Sequence, residues 1–272
     1  MGVRWERLES RLWETAGVLL VDDSRAVVMD PGITPDEIAG IRDRAAEAGA
    51  TVEAILITHV HADHTCGIGA FPGAEVSMGP LAAAEVASGG AARSVKALGG
   101  EHGFEYAREP RVDRVLEPGH AAEVGPVTVE TLALPGHTDG GLAYRVRPEG
   151  LLVVGDYLSA YEFPFVYHSS AAYRASLAAL LDVLRRDPPQ VVVPGHGPAL
   201  ERDQAIAIGE ADLAYLHAVK EAVQVALEAG SSQEDAAEAG GAVEPPRPAG
   251  ELGTQRLGNG RCQVAELVAS GA

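Results

Sequence analysis

The sequence predicts an α/β fold, and three observations carry that expectation. From residue 34 a helical pattern passes into a strand pattern and back, as layered α/β architectures require. Between Val112 and Val154 short strands recur, enough for a second sheet. The chain's 272 residues, 46% of them hydrophobic, can bury one large core and leave a small appendage.

The first thirty residues read as strands over Val3 to Leu8, Gly17 to Val21 and Ala26 to Met29, with Asp22-Asp23-Ser24 as a hairpin turn. Asp30 closes the third strand ahead of Pro31-Gly32, where it is either a turn former or a carboxylate that needs a partner. A helix opens at Thr34-Pro35-Asp36-Glu37, with Thr34 as N-cap, proline at the first position and Glu37 completing a capping box. Ile38, Ile41 and Ala45 share its inner face, Gly49 ends it, and a strand from Val52 to Ile57 follows.

Ala74 to Met78 reads as a strand and Pro80 to Ala87 as a helix. Residues 88–110, with glycines at 89, 90, 99, 100 and 103, read as an irregular loop, a surface connection or a pocket wall. His102 and His120, without ligands beside them, read as exposed histidines. Ser169-Ser170 starts a helix through Arg186, buried along Leu177, Leu180, Leu181 and Leu184 and stopped by Asp187-Pro188-Pro189. The last strand is Val191 to Val193, and residues 203–229 form a long amphipathic helix. Pro245-Pro246-Arg247-Pro248 marks a linker at about residues 240–250, and Cys262 to Val268 a short terminal helix.

Chemistry concentrates after the fourth strand, where His59, His61, Asp63 and His64 fall within six residues. His59 and His61 are two apart, so on extended backbone both rings leave one face and can bind one ion. Asp63 and His64 follow where a turn begins and can address a neighbouring position. Imidazole with carboxylate suits zinc, and also iron, manganese or cobalt. Such a cluster is costly to bury without a cation.

This His-x-His-x-Asp-His run resembles the signature of the metallo-β-lactamase superfamily. The resemblance implies three later ligands, and Pro135-Gly136-His137-Thr138-Asp139-Gly140, Val153-Val154-Gly155-Asp156 and Val193-Pro194-Gly195-His196-Gly197 supply them in order, so that the similarity spans about residues 15–200. It implies a four-layer αββα sandwich with a C-terminal helical appendage, divided into a catalytic domain over 1–202 and an extension over 203–272. It further implies two divalent metal ions, zinc foremost with iron or manganese as alternatives. His59, His61 and His137 would hold one, Asp63, His64 and His196 the other, and Asp156 would bridge them. Asp63 would also be the catalytic carboxylate, orienting the nucleophile and passing its proton on, and Asp30 would support the site from behind.

The segment from Asp156 to Tyr173 holds Tyr157, Tyr161, Phe163, Phe165, Tyr167 and Tyr173, six of the eleven Tyr and Phe residues of the chain. Beginning at the implied bridging ligand, it supplies candidate pocket residues Tyr157, Tyr161, Phe163, Phe165, Tyr167 and His168, with ordinary packing as the alternative for each.

Other classes are set aside by composition. A net charge of −18 would repel a phosphate backbone, so nucleic acid is not an expected partner. No apolar run nears the roughly 18 residues of a membrane span, and the start has no signal pattern, so a cytoplasmic protein with a small-molecule substrate is expected. Two cysteines, Cys66 and Cys262, make no disulfide framework, and Cys66 reads as a small buried residue after the motif. A bridging aspartate is absent from true β-lactamases of the superfamily, and His61 replaces the glutamate of its di-iron flavin-linked branch, so the resemblance implies neither. It implies a hydrolase of the glyoxalase-II-like or lactonase-like kind, acting on a small ester, thioester or lactone. A basic glutathione-binding signature is missing, however, and Tyr157 and Tyr161 match the lactonase tyrosine inexactly. The alternatives are a mononuclear-iron oxidoreductase like the persulfide dioxygenases, and a phosphodiesterase.

Overall fold

Strands β1 (Arg4–Glu9), β2 (Ala16–Asp22), β3 (Arg25–Met29), β4 (Thr51–Leu56), β5 (Glu75–Met78) and β6 (Arg114–Val115) lie side by side in sequence order, antiparallel up to β3 and parallel from there on. This is the first sheet of a computed structural model that describes residues 2–106, 108–248 and 254–271. The parallel pairs need crossovers. Helix α1 (Pro35–Glu47) supplies the one before β4, and the short α2 (Ala62–Thr65) with the 3-10 turn Cys66–Ala70 lies in the one before β5. Helices α3 (Pro80–Ala87) and α4 (Gly90–His102) precede β6. A second mixed sheet has the order β11-β10-β9-β8-β7, built from β7 (Ala121–Val124), β8 (Val127–Ala133), β9 (Leu142–Arg147), β10 (Leu151–Val153) and β11 (Val191–Val193), with only β10 and β11 parallel. Both sheets belong to one unit, Met1–Ala133, Gly140–Gly155 and Gln190–Ala199.

The runs Val18-Leu19-Leu20-Val21 and Val27-Val28-Met29 are continuously apolar because their sheet is covered on both faces. Leu19, Val21 and Val28 pack with Ile38, Ile41 and Ala45 of α1, while Val18, Leu20, Val27 and Met29 pack with Val129, Tyr144 and Val146 of the second sheet. Each such side chain, fully buried, contributes on the order of 1.5–3 kcal/mol relative to exposure. Helix α1 begins as the sequence predicts, with the Glu37 carboxylate accepting from the Thr34 N–H at 3.2 Å.

One element departs from expectation. Residues 90–102 form a helix, not an irregular loop, because Ala91, Val95 and Leu98 recur at helical spacing and bury one face. The glycines that suggested a loop have local reasons: Gly89 caps the helix at φ +77°, and a Cβ on Gly99 would sit 2.6 Å from the Phe104 carbonyl oxygen. His102 is half-buried, its ring edge-on to Trp13 at 5.7 Å and stacked on Phe104 at 5.9 Å, whereas His120 is exposed.

The other unit, Leu134–Asp139, Asp156–Pro189 and Leu200–Ala272, is helical. It contains α5 (Ser170–Arg186), α6 (Arg202–Glu228), α7 (Gln233–Gly241) and α8 (Thr254–Ser270). The Ser169 hydroxyl accepts from the Ala172 N–H at the start of α5, and Leu177, Leu180, Leu181 and Leu184 are buried as the stripe predicted. Beyond Gly230 the chain is more helical than its composition suggested. Ser232 caps α7, and α8 starts at Thr254, eight residues before the expected Cys262. Val264 and Leu267 of α8 join Val223, Ala236 and Ala237 in a small core, and Gly260 is packed so closely that a Cβ would stand 2.1 Å from the Ala237 carbonyl oxygen. The expected linker is anchored at Arg247, whose Nε donates to the Glu162 carbonyl at 2.8 Å and whose Nη2 pairs with buried Asp212. Ala249 and Gly250, at its end, lie outside the described residues. Among the described residues no helix is long and apolar enough to cross a membrane.

Candidate metal centre

In the first unit, β4 delivers Thr58 and His59 at its C-terminal end. His61 remains extended at φ −62°, ψ 151°, and Asp63 and His64 lie in the helical turn that follows, as the spacing predicts. Asp30, at the end of β3, is buried with φ +49°. Its Oδ1 accepts from the Thr58 N–H at 2.9 Å, and its Oδ2 accepts from the Thr58 hydroxyl at 2.7 Å and from His64 Nδ1 at 2.9 Å.

Those bonds fix protons. The Thr58 hydroxyl gives its only hydrogen to Asp30, so at 3.1 Å it accepts from His59 Nδ1. His59 Nε2 therefore carries a lone pair, and it lies 3.2 Å from His61 Nδ1. His64 Nδ1 gives its hydrogen to Asp30, which turns His64 Nε2, as an acceptor, to within 3.2 Å of Asp63 Oδ2. His196 follows the same rule: Nδ1 donates to the Trp13 carbonyl at 2.9 Å, and Nε2 lies 3.3 Å from Asp63 Oδ2. The ligand atoms of Asp63, His64 and His196, all buried, lie within 4.8 Å of one another. Lone pairs converging in a buried place repel unless a cation lies among them, so this donor set fits a divalent metal ion.

His196 is held by a turn that sequence reasoning missed. The turn between β1 and β2 places Trp13 and Glu14 in the left-handed region, at φ +56° and +51°. Their carbonyls then receive His196 Nδ1 and the Gly197 N–H, and the Ala16 N–H donates to the Gly195 carbonyl at 2.6 Å. Gly155 has its own reason: at φ +55°, a Cβ there would stand 3.0 Å from the Thr58 hydroxyl. Cys66 is buried, and that burial pushes its thiol up to about 12.

The second unit holds His137 and Asp156. His137 Nδ1 donates to the Phe165 carbonyl at 2.8 Å, and Nε2 lies 3.0 Å from Asp156 Oδ2. Gly136 precedes it at φ +132°, where a Cβ would collide with the Tyr173 backbone at 2.3 Å. Tyr157 is buried with its hydroxyl engaged, accepting from the His137 N–H at 3.3 Å and donating to the Pro135 carbonyl at 2.8 Å. Phe163 and Phe165 are buried edge-to-face at 4.8 Å. Tyr161 and Tyr167 are 51% and 54% exposed, and the Tyr167 ring stands edge-on to His137 at 5.3 Å. His168 pairs at the surface with Asp139, at 3.1 Å.

These groups of histidine and aspartate are of the kind that binds divalent metal ions, and comparison with known proteins agrees. The family model described as metallo-beta-lactamase superfamily matches residues 13–196, a span that holds all seven ligand candidates and opens at the turn that holds His196. The probable metallo-hydrolase YqgX of Bacillus subtilis is 30% identical over 158 residues, 57% of this chain and 72% of that protein. A hydroxyacylglutathione hydrolase of Acidiphilium cryptum is 27% identical over 165 residues, 60% of this chain but only 58% of the relative. Among solved structures, the metallo-beta-lactamase family protein TTHA1429 of Thermus thermophilus covers all of this chain and 94% of its own, with a TM-score of 0.69 and 22% identity. The match to the family model takes in most of the chain and all seven ligand candidates, and the likeness of fold extends through α6–α8, so this chain belongs to the metallo-beta-lactamase superfamily and has its α/β fold with two mixed sheets.

Proposed function

We propose that the protein is a metal-dependent hydrolase acting on a small, largely uncharged thioester, ester or lactone. One observation carries the reading. In His59, His64, His137 and His196 alike, Nδ1 donates to an oxygen acceptor and Nε2 is turned toward another candidate ligand. This is how proteins prepare imidazoles for metal, and four histidines meeting it by chance is improbable. The reading takes all seven side chains as one ligand set, as the superfamily resemblance implies. Divalent ions held there would supply a Lewis acid and lower the pKa of water.

The chain's own residues have definite tasks. Asp63, which a bound cation would keep anionic, can orient the attacking water and pass its proton to a leaving group. Asp30, Thr58 and the Trp13 carbonyl keep the imidazole protons on the far side of the rings. A thioester stands first because one relative is named for hydrolysis of hydroxyacylglutathione, which is a thioester. A net charge of −18 disfavours phosphodiesters, which carry their negative charge on the reacting group itself.

Elemental analysis of untagged protein never exposed to chelator should find about two divalent ions per chain, and a panel of thioesters, esters and lactones should include one hydrolysed by the parent and not by Asp63→Asn. About one iron without zinc, with oxygen consumed on a persulfide, would overturn the reading in favour of sulfur oxidation.

A further inference from the structure

Helix α8 carries two stripes. Val264 and Leu267 face the small core with α6 and α7, but Asn259 and Gln263, only 2% and 1% exposed, are polar and buried, and Glu266 continues their line at helical spacing. Burying such groups is unfavourable without partners, and all three have them. Glu266 accepts from the Ser169 hydroxyl at 2.6 Å and the Ala171 N–H at 3.0 Å, and Gln263 accepts from Arg174 at 2.9 Å.

Asn259 does something different. Its Oδ1 accepts from the Val166 N–H at 2.9 Å, and its Nδ2 donates to the Pro164 carbonyl at 2.7 Å. One amide thus grips the peptide groups on either side of Phe165, as a neighbouring strand would. Between them, the Phe165 carbonyl is the acceptor for His137 Nδ1. The same stretch runs along the His137 backbone: the Tyr167 N–H donates to the His137 carbonyl at 3.1 Å, and the His168 and Ser169 N–H groups donate to the Gly136 carbonyl at 3.2 Å.

We propose that Asn259 is a positioning residue for His137, acting through the Phe165 carbonyl, so that the C-terminal helix sets how tightly His137 binds metal. The proposal rests on the reading of His137 as a ligand. Losing the Asn259 amide frees the Phe165 peptide to rotate, and with it the acceptor that fixes the His137 tautomer and ring direction. Gln263 lies on the same stripe but reaches Arg174 instead, which makes it the control.

The test is a competition titration of the full chain with zinc and cobalt(II) against a chelator, alongside thermal unfolding of the metal-free protein. His137→Ala identifies which binding event depends on His137. Asn259→Ala should weaken that same event roughly tenfold and shift the visible absorption of the cobalt(II) form, the scale seen when partners behind a ligand are removed. Gln263→Ala should lower the melting temperature while leaving affinity and spectrum at parental values. Should Asn259→Ala not fold, Asn259→Ser, which keeps one hydrogen-bonding group, carries the same comparison. Parental metal affinity in the Asn259 variant, or equal weakening in Asn259→Ala and Gln263→Ala, overturns the proposal alone. A parent chain that takes up no divalent metal overturns the functional reading and the proposal together.

Discussion

The Asp30 carboxylate accepts the Nδ1 hydrogen of His64 at 2.9 Å, thirty-four positions along the chain, and this bond decides which imidazole nitrogen faces Asp63. Both partners are buried, so neither can exchange the other for water. A carboxylate at the end of one strand thereby sets the chemistry of a candidate ligand carried beyond the next.

Asp30 receives three donors on its two oxygens and offers none, a demand that asparagine cannot meet. Asp30→Asn keeps the shape and tolerates the left-handed backbone, but it must turn an NH2 group against either the Thr58 N–H or the donors on the other side. We expect metal affinity to fall about 10–100-fold in Asp30→Asn, measured by chelator competition, with Asp30→Ala at least as severe. Parental affinity in Asp30→Asn would leave Asp30 as a turn former only.

Burial pushes the Cys66 thiol up to about 12, against an ordinary value of about 8.5. A raised thiol pKa favours the folded state while both forms are protonated. That stability is fully present below about pH 8.5, and it is lost as the unfolded chain ionises and the pH climbs toward 12. The metal-free protein should therefore lose stability across this alkaline window, and Cys66→Ala should flatten the loss, as read by urea unfolding at a series of pH values. Alkylation supplies a second check: Cys66 should resist iodoacetamide in the native chain and react once the chain unfolds.

Asp212 and Arg247 form a buried pair in the helical unit, with side-chain exposures of 2% and 12%. Removing one partner strands the other's charge, so Asp212→Ala should cost about 3–5 kcal/mol in urea unfolding. Replacing both with apolar residues of similar volume, as in Asp212→Leu with Arg247→Met, should recover most of that loss. A single substitution as mild as the double one would mean that water reaches the pair.

What the sequence revealed follows from how locally each signal is encoded. His59, His61, Asp63 and His64 could be read because one strand end and one turn carry them all, and α1 because its cap and stripe lie within thirteen residues. That Asp30 supports the site came only through the family resemblance, and His64 as its partner not at all, since an aspartate before Pro-Gly forms a turn equally well whether or not a distant histidine needs it. Glycine concealed α4: Gly99 serves close packing, and counted in sequence it looks like flexibility. Asn259 and Gln263 were invisible for the opposite reason, because polar side chains on a helix are ordinarily solvated and nothing local marks them as buried. The aromatic segment stood out by composition alone, which does not separate a ring that packs from one that faces solvent.

That separation gives the last prediction. Tyr157 is buried, and its hydroxyl ties the Pro135 carbonyl to the His137 N–H, so its role is to shape the loop that carries His137. Tyr157→Phe keeps the ring and leaves two buried backbone groups without this partner, a loss of about 1–3 kcal/mol. It should lower thermal stability and weaken metal binding together. Tyr161 and Tyr167 are half exposed, and the Tyr167 N–H bond to the His137 carbonyl is a backbone bond that truncating the ring keeps. If Tyr167, edge-on to His137, contacts substrate, Tyr167→Ala should raise KM for bulky acyl groups while metal content and melting temperature stay at parental values. Steady-state kinetics, metal analysis and thermal unfolding on Tyr157→Phe, Tyr161→Phe and Tyr167→Ala separate the two roles. A Tyr167→Ala enzyme with parental KM across chain lengths would confine that ring to packing against His137.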